Sequence, residues 1–134
     1  MSQRNKGSTD ILLAKAQQDE DVLAVFVFGS VARGEEVDTS DIDVCLFLMP
    51  QSTHLDPAGY SHKRLDYIVG SDFDVQIFQQ LPLPIRRRVL REGQILFVRD
   101  EDLLYELAIR TAKAFEDFKY IYYHYLDEVA NAGS

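Results

Sequence analysis

Asp41 and Asp43 stand two positions apart in Ser40-Asp41-Ile42-Asp43-Val44, at the head of a run that alternates like a β-strand. Side chains two apart on a strand share a face, so both carboxylates point the same way. Like charges so close repel one another unless a cation neutralises them, and hard carboxylate oxygens suit Mg²⁺ or Mn²⁺. Upstream lies Gly29-Ser30, with ten residues (31–40) between Ser30 and Asp41. A glycine there lets the backbone approach a ligand without a Cβ in the way. The Ser30 hydroxyl and backbone N–H, beside an expected helix start, suit a phosphate. Asp74, in Phe73-Asp74-Val75-Gln76-Ile77, is the third candidate carboxylate, with Asp72 on the same strand face as its alternative. Three carboxylates facing one side could hold two ions about 4 Å apart, one activating an attacking oxygen and one neutralising a leaving pyrophosphate. Arg33 and Ser40 are further candidates for triphosphate contact. Each has a plainer role available, Arg33 in pairing with Glu35 or Glu36 and Ser40 in shaping a turn.

Neighbouring motifs fail on residue chemistry. Gly29 and Gly34 have P-loop spacing, but Glu35-Glu36 stand where Lys and Ser/Thr are required. Asp41-x-Asp43 opens like an EF-hand, yet Cys45 and Leu46 replace the third ligand and the turn glycine. Gly29-Ser30 lacks the Gly-x-Ser-x-Gly frame of a nucleophile elbow. Cys45 reads as a small packed side chain near the site. His54, His62 and His124 are scattered and suggest no metal cluster. Arg86, Arg87, Arg88 and Arg91 form a basic cluster, either a solvated helix face or a docking surface.

The elements that must position these residues can be read from periodicity. Ser8, Thr9 or Asp10 is expected to cap a first helix running to about Glu20. Val22 to Phe28 is a continuous apolar run, expected to be a strand buried on both faces. The second strand, Asp41 to Leu48, puts Ile42, Val44, Leu46 and Leu48 on one face and Asp41, Asp43, Cys45 and Phe47 on the other. Positions 50–60 read as a loop and Ser61 to Val69 as a short helix. A third strand, Phe73 to Phe78, has Phe73, Val75 and Ile77 opposite Asp74, Gln76 and Phe78. Pro84 opens a further helix that Gly93 ends, and Ile95 to Val98 reads as an edge strand. From about Asp100 to Val129 a helical stripe of Leu104, Ala108, Thr111, Phe115, Phe118, Tyr122, Tyr125 and Val129 predicts one long helix. At 1.5 Å per residue it spans roughly 40 Å, more than a small domain needs. The fold class expected is α+β, a small mixed sheet packed with helices. We expect a single domain over 1–134, with a core at about 9–98 and the long helix at about 100–129.

The 134 residues carry 22 acidic and 14 basic side chains, a formal charge of −8. Such a surface repels nucleic-acid phosphates, which argues against stable duplex binding. It suits a basic protein partner or a site that concentrates cations. One cysteine excludes an internal disulfide framework. The polar start shows no secretory signal, and no apolar run reaches the ~18 residues of a membrane span. A cytoplasmic protein without a membrane segment is expected.

Gly-Ser, about ten residues, then Asp-x-Asp resembles the signature of the DNA polymerase β-like nucleotidyltransferase superfamily. Ala32-Arg33-Gly34 and Ser40-Asp41-Ile42-Asp43 look like its minimal nucleotidyltransferase (MNT) branch. The likeness continues through Phe73-Asp74-Val75-Gln76-Ile77, Leu90-Arg91-Glu92-Gly93-Gln94-Ile95-Leu96-Phe97 and Phe115-Glu116-Asp117-Phe118-Lys119-Tyr120. These later stretches resemble the MntA-type antitoxin of HEPN/MNT toxin–antitoxin pairs. The resemblance implies adenylylation of a HEPN-family RNase toxin, commonly on tyrosine, with ATP as the nucleoside triphosphate and Mg²⁺ as cofactor. In that scheme Asp41, Asp43 and Asp74 are catalytic metal ligands, and Gly29, Ser30, Arg33 and Ser40 bind nucleotide.

Two other functions compete. An acidic protein with a long aromatic helix could neutralise a partner by occlusion, as a hetero-oligomer formed through that helix and without chemistry. Alternatively, the nucleotide could pass to a small molecule, although so short a chain has little room for an acceptor pocket.

Overall fold

The computed structural model describes residues 3–28, 43–50, 56–71 and 73–132, with side chains from Thr9 onward. The elements run α1 (Gln3–Gln18), β1 (Val22–Phe28), β2 (Asp43–Leu48), α2 (Pro57–Ile68), β3 (Asp74–Ile77), a 3₁₀ turn at Phe78–Gln80, α3 (Leu83–Glu92), β4 (Gln94–Val98) and α4 (Glu101–Ala132). The four strands form one mixed sheet in the order β3-β2-β1-β4. Strand β1 is antiparallel to β2 and β4, whereas β2 and β3 are parallel. This is the α+β architecture expected from the periodicity.

Both faces of the sheet are buried, so β1 has no polar residue. On one face Val22, Val25, Val27, Val44, Leu46, Leu48, Val75 and Ile77 pack against Leu12 and Ala16 of α1 and Tyr67 of α2. On the other, Leu23, Ala24, Phe26, Cys45, Phe47 and Phe78 meet Val89 of α3 and Leu104 of α4. Phe47 stands at the centre of this second face, 4.1 Å from the Phe78 ring and 4.5 Å from that of Phe26. The alternation expected for β2 and β3 is observed from Asp43 onward in β2 and from Phe73 through β3, Asp41 and Ile42 lying outside the described residues. In β1 it slips once, because Leu23 and Ala24 both face the second cluster where the β1–β2 register shifts between Val22 and Ala24. An extra residue of this kind is a β-bulge.

Helix boundaries depart from expectation in two places. Helix α1 starts at Gln3, so Ser8, Thr9 and Asp10 lie inside it and do not cap it. Helix α2 starts at Pro57, a turn earlier than expected. The Asp56 carboxylate accepts the Gly59 N–H at 2.8 Å, and Pro57 fills the first turn where no N–H is needed. Asp100 caps α4 in the same way, its carboxylate accepting the Leu103 N–H at 3.1 Å.

A polar clasp ties the chain between α1 and β1 to α2 and to the end of β4. Lys63 of α2 donates to both carboxylate oxygens of Asp19 (3.2 and 3.1 Å) and to Asp21 (3.0 Å), and the Tyr67 hydroxyl donates to Asp19 at 2.9 Å. Partial burial opposes the Lys63 charge, but hydrogen bonds to Asp21 and Asp19 outweigh it and raise its pKa. Burial, reinforced by Asp19, likewise raises that of Tyr67. Arg99 donates to the carbonyls of Ala16, Gln17, Asp19 and Val22. Its cation thereby satisfies the open carbonyls at the C-terminal end of α1.

Helix α4 is 32 residues long, or about 48 Å at 1.5 Å per residue. Leu104 and Thr111 are buried against the body, Phe115 is half-buried, and every residue from 116 to 132 is exposed.

Gly93 ends α3 with φ −70° and ψ 151°, extended backbone that any residue adopts. Space makes it a glycine, since a Cβ would overlap the Val89 carbonyl oxygen and sit 2.9 Å from Phe26 Cδ2. Gly93→Ala is therefore expected to destabilise the fold by about 1–3 kcal/mol through overpacking, read as a lowered midpoint in denaturant unfolding.

Candidate functional site

The parallel pairing of β2 with β3 sets Asp43 directly beside Asp74. Neighbouring strands lie about 4.8 Å apart and aligned residues share a face, so the two carboxylates are cross-strand neighbours. Each is the first residue of its strand, which puts both at one end of the sheet. Phe28, the last residue of β1, pairs with Asp43 from the other side, and the chain continues from it into Gly29-Ser30. The pair shares its sheet face with Cys45 and Phe47, which belong to the packed cluster further along the strands.

Asp43 is half-buried and the Asp74 side chain is 49% exposed. One hydrogen-bond donor and one cation face Asp74. Gln76 Nε2 donates to Asp74 Oδ1 at 3.2 Å from two residues along the same strand face. Arg64 of α2 places Nη2 3.6 Å from the same oxygen while its Nε donates to the Val75 carbonyl at 2.7 Å. β3 is an edge strand, and Arg64 uses its open side to reach around to the acidic face.

Of the candidate residues, Asp43 and Asp74 are brought together. Gly29, Ser30, Arg33, Ser40 and Asp41 lie outside the described residues, as does Asp72. Arg64 and Gln76 were not singled out from the sequence. Gln76 carried a usable signal, two positions from Asp74 in an alternating strand. Arg64 carried none, because its role depends on how α2 packs across β3.

Cys45, two residues along from Asp43, is fully buried and free, and burial pushes its thiol pKa up. A protonated, buried thiol is a packed side chain and not a nucleophile. Three of the four clustered arginines make local contacts. Arg86 donates to the Leu81 carbonyl at 2.8 Å, Arg88 pairs with Glu92 at 3.2 Å, and Arg87 lies 4.7 Å over the Phe115 ring. His124 lies 3.3 Å from Glu128 on α4, and His54 is outside the described residues. Among the described residues no group of three His, Cys, Asp or Glu side chains is gathered for a metal ion, and no helix is long and apolar enough to cross a membrane.

This geometry agrees with what comparison with known proteins finds. The chain belongs to the polymerase beta nucleotidyltransferase family, whose model matches residues 12–102, from α1 to the start of α4. A candidate protein adenylyltransferase of Methanocaldococcus jannaschii is 30% identical over 76 residues, which is 57% of this chain and 56% of that relative's length. The chain thus matches little more than half of that protein. Among solved structures, a toxin–antitoxin structure with AMP-PNP has a similar chain at a TM-score of 0.65 and 20% identity, covering 93% of this chain and 98% of the other. A complex of a tri-AMPylated Shewanella oneidensis HEPN toxin with an MNT antitoxin has another at 0.64 and 19%, covering 96% and 98%. These likenesses establish the polymerase β-like nucleotidyltransferase fold.

The burial of Cys45 yields a direct expectation. In the native protein a thiol-specific reagent should label Cys45 at least ~100-fold more slowly than in denaturant, because reaction waits on opening of the fold. Mass spectrometry of timed samples checks this.

Proposed function

We propose that this chain transfers an adenylyl group from ATP to a hydroxyl on a partner protein, with a HEPN-family RNase toxin as the acceptor. The observation that carries this reading is the in-register pairing of Asp43 with Asp74 at the end of the sheet where β1 leads into Gly29-Ser30. The adenylyltransferase relative and the fold shared with nucleotide-bound and AMPylated toxin–antitoxin complexes support the choice of nucleotide and acceptor.

The donor set fits a hard divalent cation. Asp43 and Asp74 offer carboxylate oxygens on adjacent strands, and Asp41 precedes Asp43 by the two residues that put a strand side chain on the same face. Asp41, Asp43 and Asp74 would hold Mg²⁺, or Mn²⁺ in its place, with two ions the expected number. When bound, the ions supply neutralisation of the triphosphate charge. Gly29 and Ser30 position the phosphates, with Arg33 and Ser40 as further contacts. Asp74 orients the acceptor hydroxyl and accepts its proton. The acceptor oxygen then bonds to the α-phosphorus as the bond to the bridging oxygen breaks, and pyrophosphate leaves. Positioning and charge complementarity carry most of the rate in such a scheme.

Helix α4 supplies the docking surface. The stripe that buries Leu104 and Thr111 continues outward as Phe118, Tyr122, Tyr125 and Val129, which are 42 to 57% exposed. An amphipathic helix of this kind lies in a partner's apolar groove. The same 17-residue stretch, 116–132, carries Glu116, Asp117, Asp127 and Glu128 against Lys119, so a groove with a basic rim suits it. The exposed stripe also favours a second reading, neutralisation by occlusion with no transfer.

Asp43→Asn separates the two. With labelled ATP, Mg²⁺ and the toxin, transfer should fall by at least ~100-fold, and toxin control should fail with it while the complex still forms. Full control by this variant would favour occlusion. Separately, Tyr122→Asp with Val129→Asp should abolish co-purification with the toxin and leave binding of an ATP analogue within about twofold, the range of a surface change remote from the site.

A further inference from the structure

The pairing that aligns Asp43 with Asp74 also creates a problem, since like charges directly opposite on a sheet destabilise it. The structure places a cation at this point. Arg64 comes from the helix on the opposite face of the sheet, is tethered by its Nε to the Val75 carbonyl at 2.7 Å, and rests Nη2 3.6 Å from Asp74 Oδ1. The tether belongs to the backbone of β3 itself, so the guanidinium cannot drift far from the carboxylate it faces. Gln76 adds a neutral donor to the same oxygen at 3.2 Å.

We infer that Arg64 is a built-in counter-ion that substitutes for a divalent cation at Asp74. It balances the acidic end of the sheet when no ion is bound and must yield Asp74 Oδ1 when one enters. Arg64 is thus a regulating residue for ion entry, acting through Asp74. This rests on the reading of Asp74 as an ion-binding carboxylate. A guanidinium suits the task because it stays charged at any physiological pH and holds two partners through one planar group.

The inference gives Arg64 a sign opposite to that of an ordinary site residue. Removing a residue that helps to bind an ion weakens binding, whereas removing a competing cation strengthens it. Mn²⁺ binding to the full-length chain, without nucleotide, is measured by electron paramagnetic resonance for wild type, Arg64→Gln, Asp74→Asn and the double variant. Arg64→Gln should bind Mn²⁺ about two- to fivefold more tightly, the range set by a half-exposed ion pair. Its thermal midpoint should fall in chelator and recover when Mg²⁺ is added, while wild type responds less to Mg²⁺. In the Asp74→Asn background, Arg64→Gln should leave Mn²⁺ affinity unchanged, and any fall in midpoint, which the lost Val75 tether alone would cause, should not respond to Mg²⁺.

Unchanged or weaker Mn²⁺ binding by Arg64→Gln, with Asp74→Asn still impairing it, would overturn the counter-ion role and leave the proposed site standing. If Asp74→Asn binds Mn²⁺ as wild type does, the assignment of Asp74 falls and the role of Arg64 with it. A midpoint lowered equally with and without Mg²⁺ would show Arg64 to be a structural strap of β3 only.

Discussion

Strand β3 lies parallel to β2 in one register, and the proposed chemistry depends on that register. With Asp43 beside Asp74, the next pairs are Val44 with Val75, Cys45 with Gln76 and Leu46 with Ile77. A slip of one residue would turn Val75 and Ile77 out of the core and put Asp74 on the wrong face. The apolar side chains that fix the register are fully buried. Hydrophobic burial on one face therefore dictates the meeting of carboxylates on the other. A second lock is the side chain of Gln79, which accepts the Leu48 N–H at 3.2 Å and donates to the Leu48 carbonyl at 2.8 Å, fastening the far end of β2 to the turn after β3.

The two faces of the sheet divide the work. Helices α1 and α2 cover one face, and the clasp of Asp19, Asp21, Lys63, Tyr67 and Arg99 holds that side together. Because α2 is fixed in this way at Lys63 and Tyr67, Arg64 between them has a defined place from which to reach Asp74. The other face carries the packed rings of Phe26, Phe47 and Phe78, further along the strands from the acidic pair. The proximal third of α4 closes this face, and its distal half projects beyond it. The acidic end of the sheet and the exposed aromatic helix thus belong to one arrangement, on elements that share a core.

Much of this was legible in the residues. The period of two along 43–48 and 73–78 assigned each side chain there to its face. The Gly-Ser and Asp-x-Asp spacing pointed to nucleotide chemistry before any fold was known. What escaped were effects that arise only when elements meet. The bulge in β1 reflects how two strands share a register, and a uniformly apolar run such as Val22 to Phe28 hides it. The steric demand on Gly93 comes from the Val89 carbonyl and from Phe26, the latter far away in sequence, although the helix end was visible. Arg64 looked like any solvated helix residue until α2 was laid across the edge of β3. The early start of α2 was readable in Asp56-Pro57, a cap and a first-turn proline, but the surrounding turn-forming residues outweighed it.

The central claim is that Asp43 and Asp74 together hold a divalent cation. Crystals grown with Mn²⁺ and a non-hydrolysable ATP analogue, with diffraction data collected at the manganese absorption edge, test it most directly. The account predicts an anomalous peak within coordination distance of carboxylate oxygens from both residues, with the triphosphate completing the ion's shell. Nucleotide bound with no ion at Asp74, or manganese bound elsewhere while the two carboxylates stay apart, would contradict it.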